Sequence, residues 1–286
     1  MSERTDLAEW RAWRSGVAAV DELVGTFAVE RLSESTFTGH STSVPENRVF
    51  GGQMLAQSVV AATMTVAPPS VAHSLHAYFV RAGRQDVPFR FAVTTLRDGR
   101  SFAVRRVDAL QDNEVVTSMT ASFHLPEDGL THQDAMPDRP APDDLPARTP
   151  FLISSDGPAR AGAVDLRACP QEPGAAESSV WLRVAAPLPD DPLLHQAMLV
   201  YLSDFSILHG AFNRHRVARE QVRTASLDHS IWLQRPGRAD DWLLHDSRSP
   251  AAAGARAVGR ANLFTVKGEL VATAAQEMLV RRIPGA

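Results

Sequence analysis

Three polar residues in the C-terminal half stand where chemistry is plausible. Asp204 lies in the run Leu199-Val200-Tyr201-Leu202-Ser203-Asp204-Phe205. A carboxylate among so many apolar neighbours is costly to bury unless it is paired or put to use. It also fits the exposed stripe of a helix, with Ser203, Ser206 and Asn213 alongside. Ser226 opens the run Ser226-Leu227-Asp228-His229-Ser230-Ile231-Trp232, and Gln276 stands among small residues in 271–278. A strand serine is usually structural, and a glutamine in a late strand is more often on an exposed face. Taken singly, neither carries an assignment.

Familiar catalytic signatures are missing. There is no G-x-S-x-G elbow, no H-E-x-x-H, and no glycine-rich phosphate loop after a strand. These absences argue against an α/β serine hydrolase, a zincin and a nucleotide-loop enzyme. What remains must act through polar groups embedded in apolar elements. The single cysteine, Cys169, cannot form an internal disulfide, and no Cys/His cluster has zinc spacing. Cys169 reads as a buried, inert thiol.

Composition bounds the rest. The chain has 286 residues, is 44% hydrophobic, and carries a net charge of −4. That suits one large domain or two small ones, and it offers nucleic acid no basic field. No apolar run reaches a membrane span, and the N-terminus lacks an apolar signal core, so a cytoplasmic location is expected.

The elements that must hold these residues come in two sets. Nine of the 19 prolines lie between Pro126 and Pro173. This stretch reads as a connector, broken only by the apolar run 151–153. The expected division is a unit over 1–125, a connector over 126–178 and a second unit over 179–286. Ser74-Leu75-His76 has a counterpart in Ser226-Leu227-Asp228-His229, and 114–119 in 269–274, at nearly one offset. Two anchors at one offset suggest duplication. Each unit reads as a short strand (27–31 and 180–184), a helix (from Gly51-Gly52 through Ala62, and 192–208), then four strands. Those strands are 73–80, 89–97, 101–111 and 114–124, then 224–234, 242–249, 255–266 and 269–280. Asp98-Gly99, Asp112-Asn113 and Lys267-Gly268 punctuate them as turns. A central helix followed by an antiparallel meander is an α+β layout, with the sheet wrapping the helix. In the repeat alignment Gln276 faces Ala121, so the first unit lacks that group, and its helix has no carboxylate.

The sequence resembles the acyl-CoA thioesterase II family of double hot-dog proteins, over about 21–282. The first half carries this in Arg48-Val49-Phe50-Gly51-Gly52-Gln53, His73 to Phe79 and Arg97-Asp98-Gly99-Arg100-Ser101-Phe102. The second half carries it in Tyr201-Leu202-Ser203-Asp204, Asp228-His229-Ser230-Ile231-Trp232, Trp242-Leu243-Leu244 and Gln276-Glu277. The resemblance implies hydrolysis of fatty acyl-CoA to free acid and CoA without a cofactor or metal. It implies a site of aspartate, hydroxyl residue and glutamine, which fall on Asp204, Ser226 and Gln276. Threonine is commoner at the hydroxyl position; serine keeps the donor and acceptor but loses the methyl that fixes the rotamer. Ala82 stands where the family usually has proline.

On that reading Asp204 is the base that takes a proton from attacking water. Ser226 and Gln276 hold the water, and the Gln276 amide can also face the developing oxyanion. Arg235, Arg238, Arg248, Arg256 and Arg260 are candidates for the CoA phosphates, although each taken singly is more simply a solvated charge. The expected partners are acyl-CoA and further copies of the chain, as a dimer or tetramer. Two other readings stay open. Asp204 and His209 stand five apart, as in hot-dog enoyl-CoA hydratases, but Ser206 and Ile207 occupy the positions where that motif has asparagine and proline. A non-catalytic acyl-CoA-binding module is the second.

Overall fold

The computed structural model describes residues 5–41, 48–147 and 162–284, and the apolar run 151–153 lies outside them. Among the described residues, five α-helices accompany one continuous 13-stranded antiparallel sheet. Two short helices open the chain, α1 (Leu7–Ala12) and α2 (Ala18–Phe27). Strands β1 (Glu30–Arg31) and β2 (Thr36–Gly39) follow, then helix α3 (Gly51–Thr63). The first meander is β3 (Val71–Phe79), β4 (Phe89–Asp98), β5 (Phe102–Gln111) and β6 (Glu114–His124). After the proline-rich stretch come β7 (Val164–Ala168), β8 (Glu177–Val184), and helices α4 (Pro192–Ser203) and α5 (His209–His215). The chain ends with β9 (Val222–Ser226), β10 (Asp228–Leu233), β11 (Leu243–Ala253), β12 (Arg256–Thr265) and β13 (Leu270–Arg282).

The two meanders join edge to edge. The sheet order is β1-β2-β4-β5-β6-β3-β10-β13-β12-β11-β8-β7, and β9 pairs with β13. β3 and β10 are antiparallel, with Leu75 opposite Ile231 and both fully buried. His76 faces Ser230, 154 residues further on, and the two side chains meet at 3.0 Å. That separation is the repeat offset, so an approximate dyad crosses the seam here. The α+β double hot-dog layout holds: each unit has its own helix lying in the curve of its own sheet.

Helices α3 and α4 are buried nearly all round, as their apolar sequences require. From Gly52 to Ala62 every residue of α3 is buried, and so are Leu194, His195 and Ala197 to Ser203 of α4. Each large apolar side chain sheltered this way contributes about 1.5–3 kcal/mol. The helices meet across the unit boundary. The Phe50 ring packs edge-on against Tyr201 and Phe205, with centroids 5.2 and 5.0 Å away. Gly51 and Gly52 allow this approach: a Cβ on Gly52 would lie 2.6 Å from the Tyr201 carbonyl oxygen, and one on Gly51 2.8 Å from Asp204 Oδ2.

Four sequence expectations need correction. The strand expected over 27–31 shrinks to Glu30–Arg31, because Val20, Leu23, Val24 and Phe27 form a buried helical stripe that claims Phe27 as the last residue of α2. The second central helix stops at Ser203, short of 208. Asp204 is its C-cap, and Ser206 turns the chain with φ 57° before α5 begins. The strand expected over 224–234 breaks at Leu227 into β9 and β10, both paired to β13. Finally, the proline-rich stretch contributes β7 to the sheet beside β8.

The tight approach at Gly52 predicts a large stability effect. Gly52→Ala should destabilise the fold by about 1–3 kcal/mol through overpacking. Gly25→Ala, within α2 and with open space around its Cβ position, should be neutral or stabilising. Thermal unfolding of both variants measures the contrast, and equal melting temperatures would contradict it.

Candidate active site

Asp204, Ser226 and Gln276 are far apart in sequence and converge beneath the end of α4. Asp204 is placed by the helix end, Ser226 by the last residue of β9, and Gln276 by the inward face of β13. Gln276 Nε2 donates to Asp204 Oδ1 at 2.8 Å and to Ser226 Oγ at 2.7 Å. Gln276 is 2% exposed and the Asp204 side chain 4%. Gly259 lies opposite Gln276 in the β12–β13 register, and a Cβ there would sit 2.3 Å from the Ile207 carbonyl oxygen. The bare backbone of Gly259 therefore lets the turn after Asp204 settle onto the sheet.

A buried carboxylate needs donors, and one comes from the other unit. The Gly52 amide donates to Asp204 Oδ2 at 2.8 Å. Gly52 sits in the first turn of α3, where backbone N–H groups have no partner inside the helix. Phe50, at the N-cap position, supplies no side-chain cap. Asp204 acts as the missing cap, and the positive end of the α3 dipole favours its charge. This contribution of the first unit was not anticipated from sequence. Its trace there is the Gly51-Gly52 pair opening the helix.

Two buried histidines brace the same helix end. His229, on β10, places Nε2 2.9 Å from Ser203 Oγ. His245, on β11, donates from Nε2 to the Ser203 carbonyl oxygen at 3.3 Å. Both rings are fully buried. Burial pushes the His229 pKa down to about 3 and that of His245 to about 4, so both are neutral near pH 7. His229 lies within the motif Asp228-His229-Ser230-Ile231-Trp232, which by itself assigns it no role. Burial, which only the fold reveals, is what distinguishes it.

The corresponding place in the first unit holds none of these groups. Ala121 takes the position of Gln276, and Met64 caps α3 where Asp204 caps α4. Ala72, opposite Phe123, takes the position of Ser226, opposite Met278; the strand register thus moves the sequence match of Ser226 from Ser74 to Ala72. Opposite Ala121, in the place of Gly259, stands Arg105. Its guanidinium is 3% exposed, donates to Thr65 Oγ1 at 3.0 Å and the Thr65 carbonyl at 3.1 Å, and pairs with Asp98 at 2.7 Å. The first unit thus fills this position with a satisfied cation.

The five candidate arginines are not brought to the carboxylate. Strand alternation puts Arg256 and Arg260 on the face of β12 opposite Gly259, and Arg248 on the face of β11 opposite Ser247. Arg248 pairs with Glu177 at 3.3 Å and Arg256 with Glu277 at 2.9 Å. Arg235 donates to the Leu270 carbonyl, and Arg238 bonds Asp190 and Asp240. Cys169 is buried, and burial raises its pKa to about 11. Among the described residues no group of acids, histidines or cysteines is arranged for a metal, and no helix is long and apolar enough to cross a membrane.

Comparison with known proteins agrees with this architecture. Residues 160–279 match the acyl-CoA thioesterase family model, and residues 40–124 match the model of the acyl-CoA thioesterase N-terminal domain. The chain belongs to the acyl-CoA thioesterase family. It is 31% identical over 279 residues to acyl-CoA thioesterase 2 of Haemophilus influenzae, covering 92% of this chain and 98% of that one. It is 32% identical over 282 residues to human acyl-coenzyme A thioesterase 8, covering 90% and 88%. The crystal structure of acyl-CoA thioesterase II TesB2 from Mycobacterium marinum superposes with a TM-score of 0.81 at 42% identity, over 93% of this chain and 100% of that one.

The neutral histidines give the family member a pH signature. Their pKa values in the folded state lie below the unfolded value of about 6.5. The stability they allow is therefore complete above pH ~6.5 and is lost as pH falls toward their folded values. Melting temperature should drop between pH ~6.5 and ~4.5. His245→Gln, which keeps a donor near Nε2, should make that dependence shallower. An unchanged slope in the variant would contradict the assignment.

Proposed function

We propose that this chain hydrolyses acyl-CoA thioesters by direct attack of a water activated at Asp204. The observation that carries this reading is the buried Asp204–Gln276–Ser226 cluster, held at 2.7–2.8 Å. Asp204 takes a proton from water as the water oxygen bonds to the thioester carbonyl carbon. The carbonyl electrons move to oxygen, and on collapse the C–S bond breaks. The CoA thiolate leaves and takes up the proton held on Asp204, which returns the carboxylate to its ionised form, and the acid is free. No bond forms between protein and acyl group, in keeping with the absence of a nucleophile motif.

The hydrogen bonds divide the roles. The Gln276 amide uses its protons on Asp204 and Ser226, so it fixes both. Ser226 Oγ accepts from Gln276, which leaves the hydroxyl proton for the water or the developing oxyanion. The acyl tail would run along the apolar surface of α4. Fatty acyl groups are the substrate class that such a surface suits. The hydratase and binding-module readings have no comparable support: Ser206 and Ile207 stand where the hydratase motif has asparagine and proline, and both halves match thioesterase models.

We further read the chain as a cytoplasmic homo-oligomer built of the three segments 1–125, 126–178 and 179–286. Tyr78 and Trp232, 68% and 41% exposed on the outer face of the seam, support self-association. Light scattering should give a dimer or tetramer mass; a monomer at micromolar concentration would contradict that part.

The central test is thiol release across short to long acyl-CoAs. Asp204→Asn should fold normally and lose about 10²–10⁴ of turnover. Ser226→Thr should stay active. An active Asp204→Asn would remove the proposed base, and a dead but folded Ser226→Thr would remove the assigned role of the hydroxyl.

A further inference from the structure

The Gln276 amide can face two ways, and only one supports the reading above. Ionised Asp204 accepts and cannot donate, so the amide nitrogen must point at Oδ1. The amide oxygen then points elsewhere, into the protein, where it is buried and makes no bond of ordinary geometry. A buried acceptor in this position calls for a donor. The strand register that sets Ser230 opposite Ala275 brings His229 beside Gln276, and the ring interacts with that amide. The other buried atom lacking a bond here is His229 Nδ1.

A neutral imidazole carries one N–H, so its place decides what the ring does. With the proton on Nε2, the ring donates to Ser203 Oγ. Nδ1, Gln276 Oε1 and Asp204 Oδ1 then crowd together as three acceptors, with Nδ1 and Oδ1 only 3.8 Å apart. With the proton on Nδ1, Gln276 Oε1 gains its donor. Nε2 then accepts from the Ser203 hydroxyl across the observed 2.9 Å, which requires the single hydroxyl proton to turn to the ring from the Val200 carbonyl, 2.8 Å from the same Oγ. The 3.8 Å to Asp204 is too long for a hydrogen bond, so the Nδ1 proton is left to the amide.

We propose that His229, as its Nδ1–H tautomer, is a positioning residue that holds the Gln276 amide with its NH₂ toward Asp204 and Ser226. Orientation then passes one way: the Ser203 hydroxyl sets the ring, the ring sets the amide, and the amide sets the carboxylate and Ser226. Ser203 is itself the residue before Asp204, so the loop of bonds closes on the same helix end. The role rests on the hydrolytic reading of Asp204, Ser226 and Gln276.

The test compares two variants and one spectrum. His229→Asn keeps an N–H near the Nδ1 position, and His229→Leu does not. With acyl-CoA substrate, the leucine variant should lose about 100-fold in kcat, the scale of a misplaced reacting group, with KM little changed. The asparagine variant should recover most of that loss. The ¹⁵N spectrum of the wild-type ring should show Nδ1 protonated and Nε2 bare at pH 7. An Nε2–H ring, or asparagine and leucine variants with the same kcat, would overturn the proposal even if one variant folds poorly. If Asp204→Asn is inactive while His229→Leu turns over normally, the positioning role alone falls. If Asp204→Asn is active, the hydrolytic reading falls and this role with it.

Discussion

The structure turns on one hydrogen bond between the two units, from the Gly52 amide to Asp204. A carboxylate held almost out of water is stable only with donors around it. An apolar helix that starts at Phe50-Gly51-Gly52 has unmet N–H groups at its first turn. Each defect resolves the other. The exchange works because both helices lie flush at the boundary, which the missing Cβ atoms of Gly51 and Gly52 permit. A charged group is thereby fixed at the meeting of two helix ends and the open side of a sheet. That is a fitting place for a water-activating base.

Duplication supplies the frame, and asymmetry supplies the site. The seam between β3 and β10 makes one sheet of two, with Leu75 and Ile231 sealed at its centre. Near each helix end the two units offer equivalent positions. One set holds Asp204, Ser226, Gln276 and Gly259; the other holds Met64, Ala72, Ala121 and Arg105. The exchange of glycine for arginine is the sharpest difference. Gly259 lets the turn after Asp204 approach the sheet, whereas Arg105 occupies that room and satisfies its charge on Thr65 and Asp98. A pair of equivalent places has become one polar cluster and one filled corner.

Much of this was legible in the residues. The turn pairs Asp98-Gly99, Asp112-Asn113 and Lys267-Gly268 marked the strands, and the unbroken apolar run 197–202 marked a central helix. Asp204 drew attention because a carboxylate is out of place there. The repeat showed that Gln276 has no partner in the first unit. The illegible parts share a physical cause, since each depends on contacts distant in sequence. Phe27 could belong to a strand or a helix until its stripe met a core. The break at Leu227 arises because β13 is long enough to pair with both β9 and β10. His229 and Gly52 look ordinary until the fold buries one and aims the other. The candidate arginines cluster in sequence, yet Arg248, Arg256 and Arg260 alternate onto the far face of the sheet.

In the proposed reaction water adds directly to the thioester while Asp204 stays a base. A single turnover in H₂¹⁸O, with excess enzyme over acyl-CoA, tests this most directly. Mass spectrometry of the released acid and of the peptide bearing Asp204 reads the outcome. Direct attack predicts ¹⁸O in the acid and none in the Asp204 carboxylate. Label in that carboxylate would show that Asp204 had formed a bond to the acyl group, and would contradict direct attack by water.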